Sequence, residues 1–355
     1  MTVNEEIRDR AIRHAIAIRR YDAGLTQKIL NLLNSSDEDL VAKIAARLSA
    51  IDERGLTLSA SATKRLQTLL DEVRAINAAA YSQVNDTLSD ELVGLSGVEA
   101  EYQATALTAS LPVKIGIGVP SPARLATIVE TSPIGGSILS TWVEGLATDR
   151  AALMEQAIRK GLLTGASTDE IVRSIRGTAK AKYQDGILKI GRQKAQTLVR
   201  TAITHTTNAA AMETWKKNDH VVKERMFVAT LDSRTSITCA AMDGKTFPLD
   251  SGVFPPLHPN CRSITIPITK TWREMGFTID ELTDRQRASM DGQVPASTTF
   301  SKWLKDKGED TQNKVLGPTR AQLFRSGKLD LESFIKSDGT VLTLDQLRKA
   351  NELAD

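Results

Sequence analysis

Aromatic residues, cysteines and long apolar runs are all scarce in this sequence of 355 residues, and each shortage argues against a class of protein. Aromatics make up 4% of the residues, so the cores must be built from Ala, Leu, Ile and Val, which favours helices. Two cysteines argue against a disulfide framework, although a single bridge stays open. No apolar run approaches the roughly 20 residues that span a bilayer, and charges interrupt the N-terminal stretch where a signal peptide is apolar. We therefore expect a protein made in the cytoplasm.

The residues that are abundant are typical of a folded chain. Hydrophobic residues make up 41% and charged residues 25%, which excludes wholesale disorder. The length allows two or three units with their own cores. We expect four regions: an N-terminal helical region over 1–109, a linker or arm over 110–134, a central domain over 135–270, and a C-terminal region of short helices and loops over 271–355.

The N-terminal region has apolar residues at three- and four-residue steps, which predicts amphipathic helices in a hairpin or small bundle. We expect separate helical segments here, with a break around Gly94–Gly97. The linker contains four prolines, and its alternation over 113–119 predicts a short strand.

The central domain begins with helical patterns over 137–145, 148–164, 167–176 and 185–215. Two runs rich in β-branched residues follow at 226–231 and 262–268, and we expect them to pair as antiparallel strands. The overall prediction is an α+β, mainly helical fold with a small antiparallel β element stapled by a Cys/His cluster. Further along, we expect a loop over 308–313.

Positive charge is concentrated in one stretch. Between Arg176 and Arg225 the sequence has eleven Lys or Arg against four Asp or Glu, although the net charge of the whole chain is only +3. Such an excess indicates either a solvated helical face or a surface that meets a polyanion, which is nucleic acid such as double-stranded DNA or an acidic protein surface. The residues that would contact nucleic acid are Lys180, Lys182, Lys189 and Arg192.

Both cysteines lie in the connection between the two predicted strands. His258 and Cys261 are three residues apart in HPNC, a spacing at which two ligands on one turn converge on a metal, and Cys239 precedes them on a short predicted helix. Two thiolates and an imidazole suit a structural zinc site. A disulfide, or two buried thiols beside a hydrogen-bonded histidine, are the alternatives.

A fourth zinc ligand has two candidates. His205 shares the apolar face of the long helix and is expected to point inward, where a core histidine is the simpler explanation. Asp243 follows Cys239 by one helical turn. Four protein ligands would close the site and exclude catalysis there.

Asp232 and Arg234 come directly after the first strand, in LDSRT. The carboxylate can cap the turn, and the planar fork of Arg234 can pair with a carboxylate or with carbonyls. We expect Asp232, Arg234 and Arg262 to pin the connection to the sheet. The alternative is an arginine that contacts phosphate.

The sequence resembles a known family over about residues 135–270. The resemblance is carried by four segments: VRTAITHTTN at 199–208, TLDSRTSITC at 230–239, MDGK at 242–245 and PPLHPNCR at 255–262. They are similar to the phage head morphogenesis domain, the Mu F-like minor head protein family of tailed bacteriophages. The resemblance says nothing about residues 1–110.

This resemblance implies a virion protein of the phage head, made in the host cytoplasm. It implies a minor capsid component, present in several copies, that associates with the portal or the major capsid protein during assembly, with no membrane in the assembled head. It also implies contact with packaged double-stranded DNA, or ejection with it. No enzyme activity is expected. The alternatives are a metal-dependent hydrolase or nuclease built on the Cys/His cluster, and a module whose main role is to bind DNA.

Overall fold

The computed structural model describes residues 3–52, 60–111, 114–276, 286–290, 292–295, 297–336 and 339–350. Over these residues the fold is mainly helical with few strands, as predicted. None of the described helices is long and apolar enough to cross a membrane. The elements in chain order are α1 Val3–Asp52, α2 Ala60–Ser110, α3 Pro122–Thr131, α4 Leu139–Leu163, α5 Thr168–Arg176, α6 Ile187–Lys217, β1 Val222–Val228, α7 Ile237–Met242, β2 Thr246–Phe247, β3 Ile264–Thr269, β4 Gln286–Ser289, β5 Gly292–Pro295, α8 Phe300–Lys305, α9 Glu309–Leu316, α10 Pro318–Arg325, a 3-10 turn Leu331–Phe334 and α11 Leu344–Ala350.

The chain forms two compact units, each built from separate segments. Unit 1 comprises Met1–Arg19, Ser96–Leu125 and Thr204–Asp355, and unit 2 comprises Arg20–Leu95 and Ala126–Ile203. Residues of α1, α2 and α6 belong to both units. The sequential division at 109, 134 and 270 stays a prediction, but the N-terminal helices are integral to the cores described below.

Unit 2 is a helical assembly. Leu33, Leu40, Ile44 and Leu48 recur at steps of seven and four along α1, and all four are almost fully buried. They belong to an apolar face that packs with residues of α2, α4, α5 and α6. The core cluster at the centre comprises Leu40, Val41, Ile44, Leu48, Leu69, Leu70, Val73, Met154, Ile158, Ile171, Ile175 and Leu188.

A buried ion cluster also holds unit 2 together. Asp37 of α1 accepts hydrogen bonds from Arg150 of α4 and, at 2.8 Å, from Arg192 of α6. The Arg150 side chain is 2% exposed, and its guanidinium lies 5.7 Å from the ring centroid of Tyr81. Burial raises the pKa of Asp37, and the two arginines oppose that rise.

Unit 1 contains a three-stranded sheet in the order β2-β1-β3. β1 pairs antiparallel with β3, with Val228 opposite Ile264 and Met226 opposite Ile266, so the predicted strand pair is confirmed. The connection between these strands contributes β2, which pairs with the other edge of β1 at Arg225 and Met226 and was not predicted.

The C-terminal residues of unit 1 share a core with the connection between β1 and β3. Phe300 and Trp303 of α8 are buried in it, as are Phe324 of α10 and Phe334 of the 3-10 turn. Cys239 and Cys261 belong to the same apolar cluster. The C-terminal region therefore encloses the cysteines.

Several sequence-based boundaries were wrong. α2 runs through Gly94 and Gly97, and α4 runs through Gly145, so the predicted breaks do not occur. Glycine costs a helix only about 1 kcal/mol, which packing along a long helix outweighs. The loop expected over 308–313 is mostly α9, and residues 114–119 form no strand; residues 112 and 113 lie outside the described part.

Candidate metal centre

The local fold brings Cys239 to the start of α7. The Ser236 hydroxyl caps this helix by accepting a 3.2 Å hydrogen bond from the amide of Cys239. α7 ends before Gly244, whose φ of 82° lies in the left-handed region that favours glycine. The capped helix therefore fixes the Cys239 thiol in the core.

The other two side chains come from the turn that leads into β3. The amide of Cys261 donates to the carbonyl of His258 at 3.1 Å, and Asn260 adopts a φ of 59° that asparagine tolerates better than most residues. The hydroxyl of Thr204 on α6 donates to the carbonyl of Cys261 at 3.0 Å. This turn is thus held to the long helix.

Cys239, His258 and Cys261 converge on one point. Their ligand atoms all lie within 4.8 Å of one another. The two Sγ atoms are 3.7 Å apart, and Cys239 Sγ lies 3.3 Å from His258 Nε2. Both cysteines are free and buried, so the disulfide alternative is not formed in this structure.

The histidine ring is oriented by its other nitrogen. His258 Nδ1 lies 2.9 Å from the carbonyl of Pro259, which can only accept, so Nδ1 carries a proton. Nε2 then faces Cys239 and the Ser236 hydroxyl, which is 2.9 Å away. Such an outer hydrogen bond is typical of metal-binding histidines.

The three groups are also coupled electrostatically. The hydrogen bond between the thiols raises the pKa of Cys239 and lowers the pKa of Cys261. The hydrogen bond with Cys261 raises the pKa of His258. The contacts within the cluster therefore favour ionisation of the Cys261 thiol over that of the Cys239 thiol.

Neither candidate for a fourth ligand belongs to this group. Among the described residues, the group of side chains close enough to share a metal is limited to the two cysteines and His258. His205 is buried on α6, where its ring meets Phe254 edge-on at 6.5 Å, and burial lowers its pKa to about 4. The Asp243 carboxylate accepts hydrogen bonds from the amides of Ala229 and Phe300, both at 2.7 Å.

The segment containing this cluster matches a known family. Residues 152–266 match the family model of phage Mu protein F like protein. Residues 152–266 are thus similar to the Mu F-like family, and this segment is called the Mu F-like domain. The match covers about a third of the chain and lies inside the predicted span of 135–270, so the resemblance is confirmed there. Searches of curated proteins and of solved structures returned no match.

Within the Mu F-like domain, the predicted attachment of the strand connection to the sheet depends on Arg262 and not on Arg234. Arg262 donates two hydrogen bonds to the carboxylate of Asp232, one of them at 2.7 Å. Burial raises the pKa of Asp232, but the hydrogen bonds from Arg262 and from the amide of Arg234 together outweigh burial and lower the pKa to about 2. The Arg234 side chain is 78% exposed, and its 3.4 Å contact with Asp232 is longer than the hydrogen bonds from Arg262. Arg234 therefore contributes little to the attachment.

Arg225 also attaches the strand connection to the sheet, and this role was not predicted from the sequence. Its side chain is buried on β1 and donates to the carbonyls of Val253 at 2.6 Å and Ser251 at 2.7 Å. The guanidinium also lies over the rings of Phe247 and Phe254. The available signal was an arginine directly before the apolar run of Met226, Phe227 and Val228.

Asn208 also has a structural role that was not predicted from the sequence. Its side-chain oxygen accepts hydrogen bonds from both the amide and the hydroxyl of Thr265, which fixes α6 against β3 of the Mu F-like domain. The neighbouring Thr204 anchors the Cys261 turn in the same way. The motif THTTN thus acts through Thr204 and Asn208 rather than through its histidine.

The four cations predicted to contact nucleic acid differ in availability. Lys180 and Lys182 are exposed on the loop between α5 and α6, and Lys189 is partly exposed. Arg192 is held by Asp37 and Asn34. The loop itself is fixed, because Asp185 accepts hydrogen bonds from the amide and hydroxyl of Thr178. Lys180 and Lys182 are therefore exposed on a loop whose backbone is held by hydrogen bonds.

Proposed function

We propose that this chain is a minor head protein of a tailed bacteriophage that associates with the portal during head assembly. The observation that carries the proposal is the Mu F-like domain over residues 152–266, because this family indicates a protein of phage head morphogenesis. In this proposal several copies join the head beside the portal or the major capsid protein. The coarse function follows from the family, and the choice of partner is our inference.

The long helices are the docking elements in this proposal, but they cannot be separated from the rest. Ile7 and Leu107 share a core cluster with Trp215 in unit 1, and Leu40 shares another with Met154 in unit 2. Removal of the first 110 residues would expose both cores. Docking should therefore use the outward faces of α1 and α2, and its test requires the full chain.

Co-purification with the portal protein tests this assignment. The full chain should be retained by the tagged portal protein and by portal-containing procapsids, and retained less by capsid shells assembled without portal. Equal retention on both shells would shift the assignment to the major capsid protein. Retention on none of them would contradict a role in head assembly.

We also propose that the exposed lysines of the loop between α5 and α6 lie near packaged double-stranded DNA. The local excess of positive charge supports this, as do the exposure of Lys180 and Lys182 and the fixed loop that carries them. When lysines neutralise phosphates, counterions are released, and the affinity decreases as the salt concentration rises. The plot of log affinity against log salt becomes shallower by about 0.9 for each phosphate contact that is lost.

Binding of the full chain to double-stranded DNA should be measured against salt for the wild type and for the double variant K180Q/K182Q. The matched control is K302Q/K328Q, which removes two exposed lysines outside this stretch. We expect weaker binding and a shallower slope for the first variant only. Equal effects of the two variants would refute a specific DNA-facing loop.

A metal-dependent hydrolase or nuclease is the second candidate, because three protein ligands with one open position also occur in catalytic zinc sites. The carboxylates that could serve as a general base are both engaged. Asp232 is held by Arg262, and Asp243 by two backbone amides. A non-enzymatic structural role fits this arrangement better. Metal-dependent DNA cleavage that disappears in His258→Gln would overturn it.

A further inference from the structure

Two of the three distances among the sulfur and nitrogen atoms of the Cys/His cluster are close to those of a tetrahedral zinc site. Zinc–sulfur bonds of about 2.3 Å and a zinc–nitrogen bond of about 2.05 Å, at tetrahedral angles, separate two sulfurs by about 3.8 Å and a sulfur from a nitrogen by about 3.6 Å. The observed Sγ–Sγ distance is 3.7 Å, and the distance from Cys239 Sγ to His258 Nε2 is 3.3 Å. These two distances are within about 0.3 Å of the tetrahedral values, and the third pair, Cys261 with His258, lies within 4.8 Å.

The chemistry of the donors favours zinc over magnesium and calcium. Two thiolates and one imidazole are soft and borderline ligands, whereas magnesium and calcium prefer oxygen. The bond from Nδ1 to the carbonyl of Pro259 leaves Nε2 as the atom that would bind the metal. The ring is therefore fixed in the orientation that a ligand needs, before any metal arrives.

Burial differs across the site. Both cysteines are buried in the apolar core, whereas His258 is only partly buried. Neither His205 nor Asp243 supplies a fourth donor from the described residues. The side beside His258 is thus where a water molecule can complete the tetrahedron.

We propose that Cys239, His258 and Cys261 bind one zinc ion, with water in the fourth position, and that this zinc fastens α7 to the start of β3. The metal would close a loop between cysteines 22 residues apart in sequence. Closing a loop of this length restricts the unfolded chain, so the site stabilises unit 1. Its role is structural and is independent of the portal assignment.

The test is the zinc content of the full chain, purified without a histidine tag, without chelator and with both thiols kept reduced. We expect one zinc per chain in the wild type and a loss of at least about tenfold in H258Q and C261S, since each variant removes a ligand. The matched histidine controls are H205Q and H220Q, and both should keep their zinc. The sequence has no third cysteine for a thiol control.

A second measurement keeps the proposal testable where C261S fails to fold. Cobalt added to metal-free wild-type protein should produce a thiolate-to-cobalt charge-transfer band and the visible absorption of a tetrahedral ion, and zinc should displace both. Wild-type protein with two titratable thiols and neither zinc nor a cobalt band would overturn the proposal. Full zinc occupancy in folded H258Q would also overturn it, in favour of another ligand set.

Discussion

The ion pair between Asp232 and Arg262 should contribute measurably to the stability of unit 1. The carboxylate is 16% exposed and the guanidinium 21%, so solvent screens the pair less than it screens a surface pair. The pKa of Asp232 falls from 3.8 to about 2 on folding. At 1.36 kcal/mol for each pKa unit, this shift corresponds to about 2 kcal/mol of unfolding free energy at neutral pH.

Asp232→Asn is the suitable perturbation. Asn keeps an oxygen that can accept the amide hydrogen bond from Arg234, so the turn is retained while the charge opposite Arg262 is lost. The matched control is Asp219→Asn, which makes the same chemical change at an exposed carboxylate. We expect a loss of about 2 kcal/mol for the first variant and less than about 0.5 kcal/mol for the control.

The assay is urea unfolding followed by tryptophan fluorescence, repeated from pH 7 down to the acid limit of solubility. Three of the four tryptophans, Trp215, Trp272 and Trp303, belong to the same unit as Asp232. Because the folded pKa is lowered, the contribution of Asp232 is complete above pH 3.8 and is lost as the pH falls towards about 2. Asp232→Asn should flatten this limb. Wild-type stability and an unchanged acid limb in the variant would refute the reasoning.

Three further predictions concern other parts of the chain. Asp37→Ala should destabilise unit 2 by about 3–5 kcal/mol in urea unfolding, because Arg150 would stay buried without its carboxylate, and a loss below about 1 kcal/mol would contradict the buried cluster. His205 should make stability fall by up to about 3 kcal/mol as the pH drops from 6.5 to about 4, because only the unfolded chain takes up its proton; this fall should be absent in His205→Gln. Gly186→Ala should lower the melting temperature, because its Cβ would lie 2.3 Å from the backbone nitrogen of Gly177. The control Gly145→Ala, in open space within α4, should raise stability by about 1 kcal/mol, and equal effects of the two substitutions would refute the close approach.

The features that the sequence predicts well are those decided by near neighbours. The antiparallel pair of strands follows from two short β-branched runs, and the turn of His258 and Cys261 follows from their three-residue spacing. The helix predicted over 167–176 is also local, and in the structure Ser167 and Glu170 cap its start by bonding to each other's backbone amides. In each case the sequence signal lies within a few consecutive residues, although β1 and β3 pair with each other across a long connection.

The features that the sequence did not predict depend on distant parts of the chain. The apolar face of α6 predicts that His205 points inward. Only the fold shows that the His205 ring contacts Phe254 rather than the cysteines. Asp243 has the right spacing for a ligand, yet its carboxylate already accepts a hydrogen bond from the amide of Phe300, 57 residues away. Arg225 holds the strand connection only because the connection returns over it and offers the carbonyls of Ser251 and Val253.

The protein content of purified virions tests the central claim most directly. Quantitative mass spectrometry should find this chain in washed, DNA-filled particles at a constant ratio of several copies to the portal protein. A second measurement after DNA release separates a resident head component, which remains with the shell, from one that leaves with the DNA. Complete absence of the chain from DNA-filled particles would contradict its assignment as a head protein of the virion.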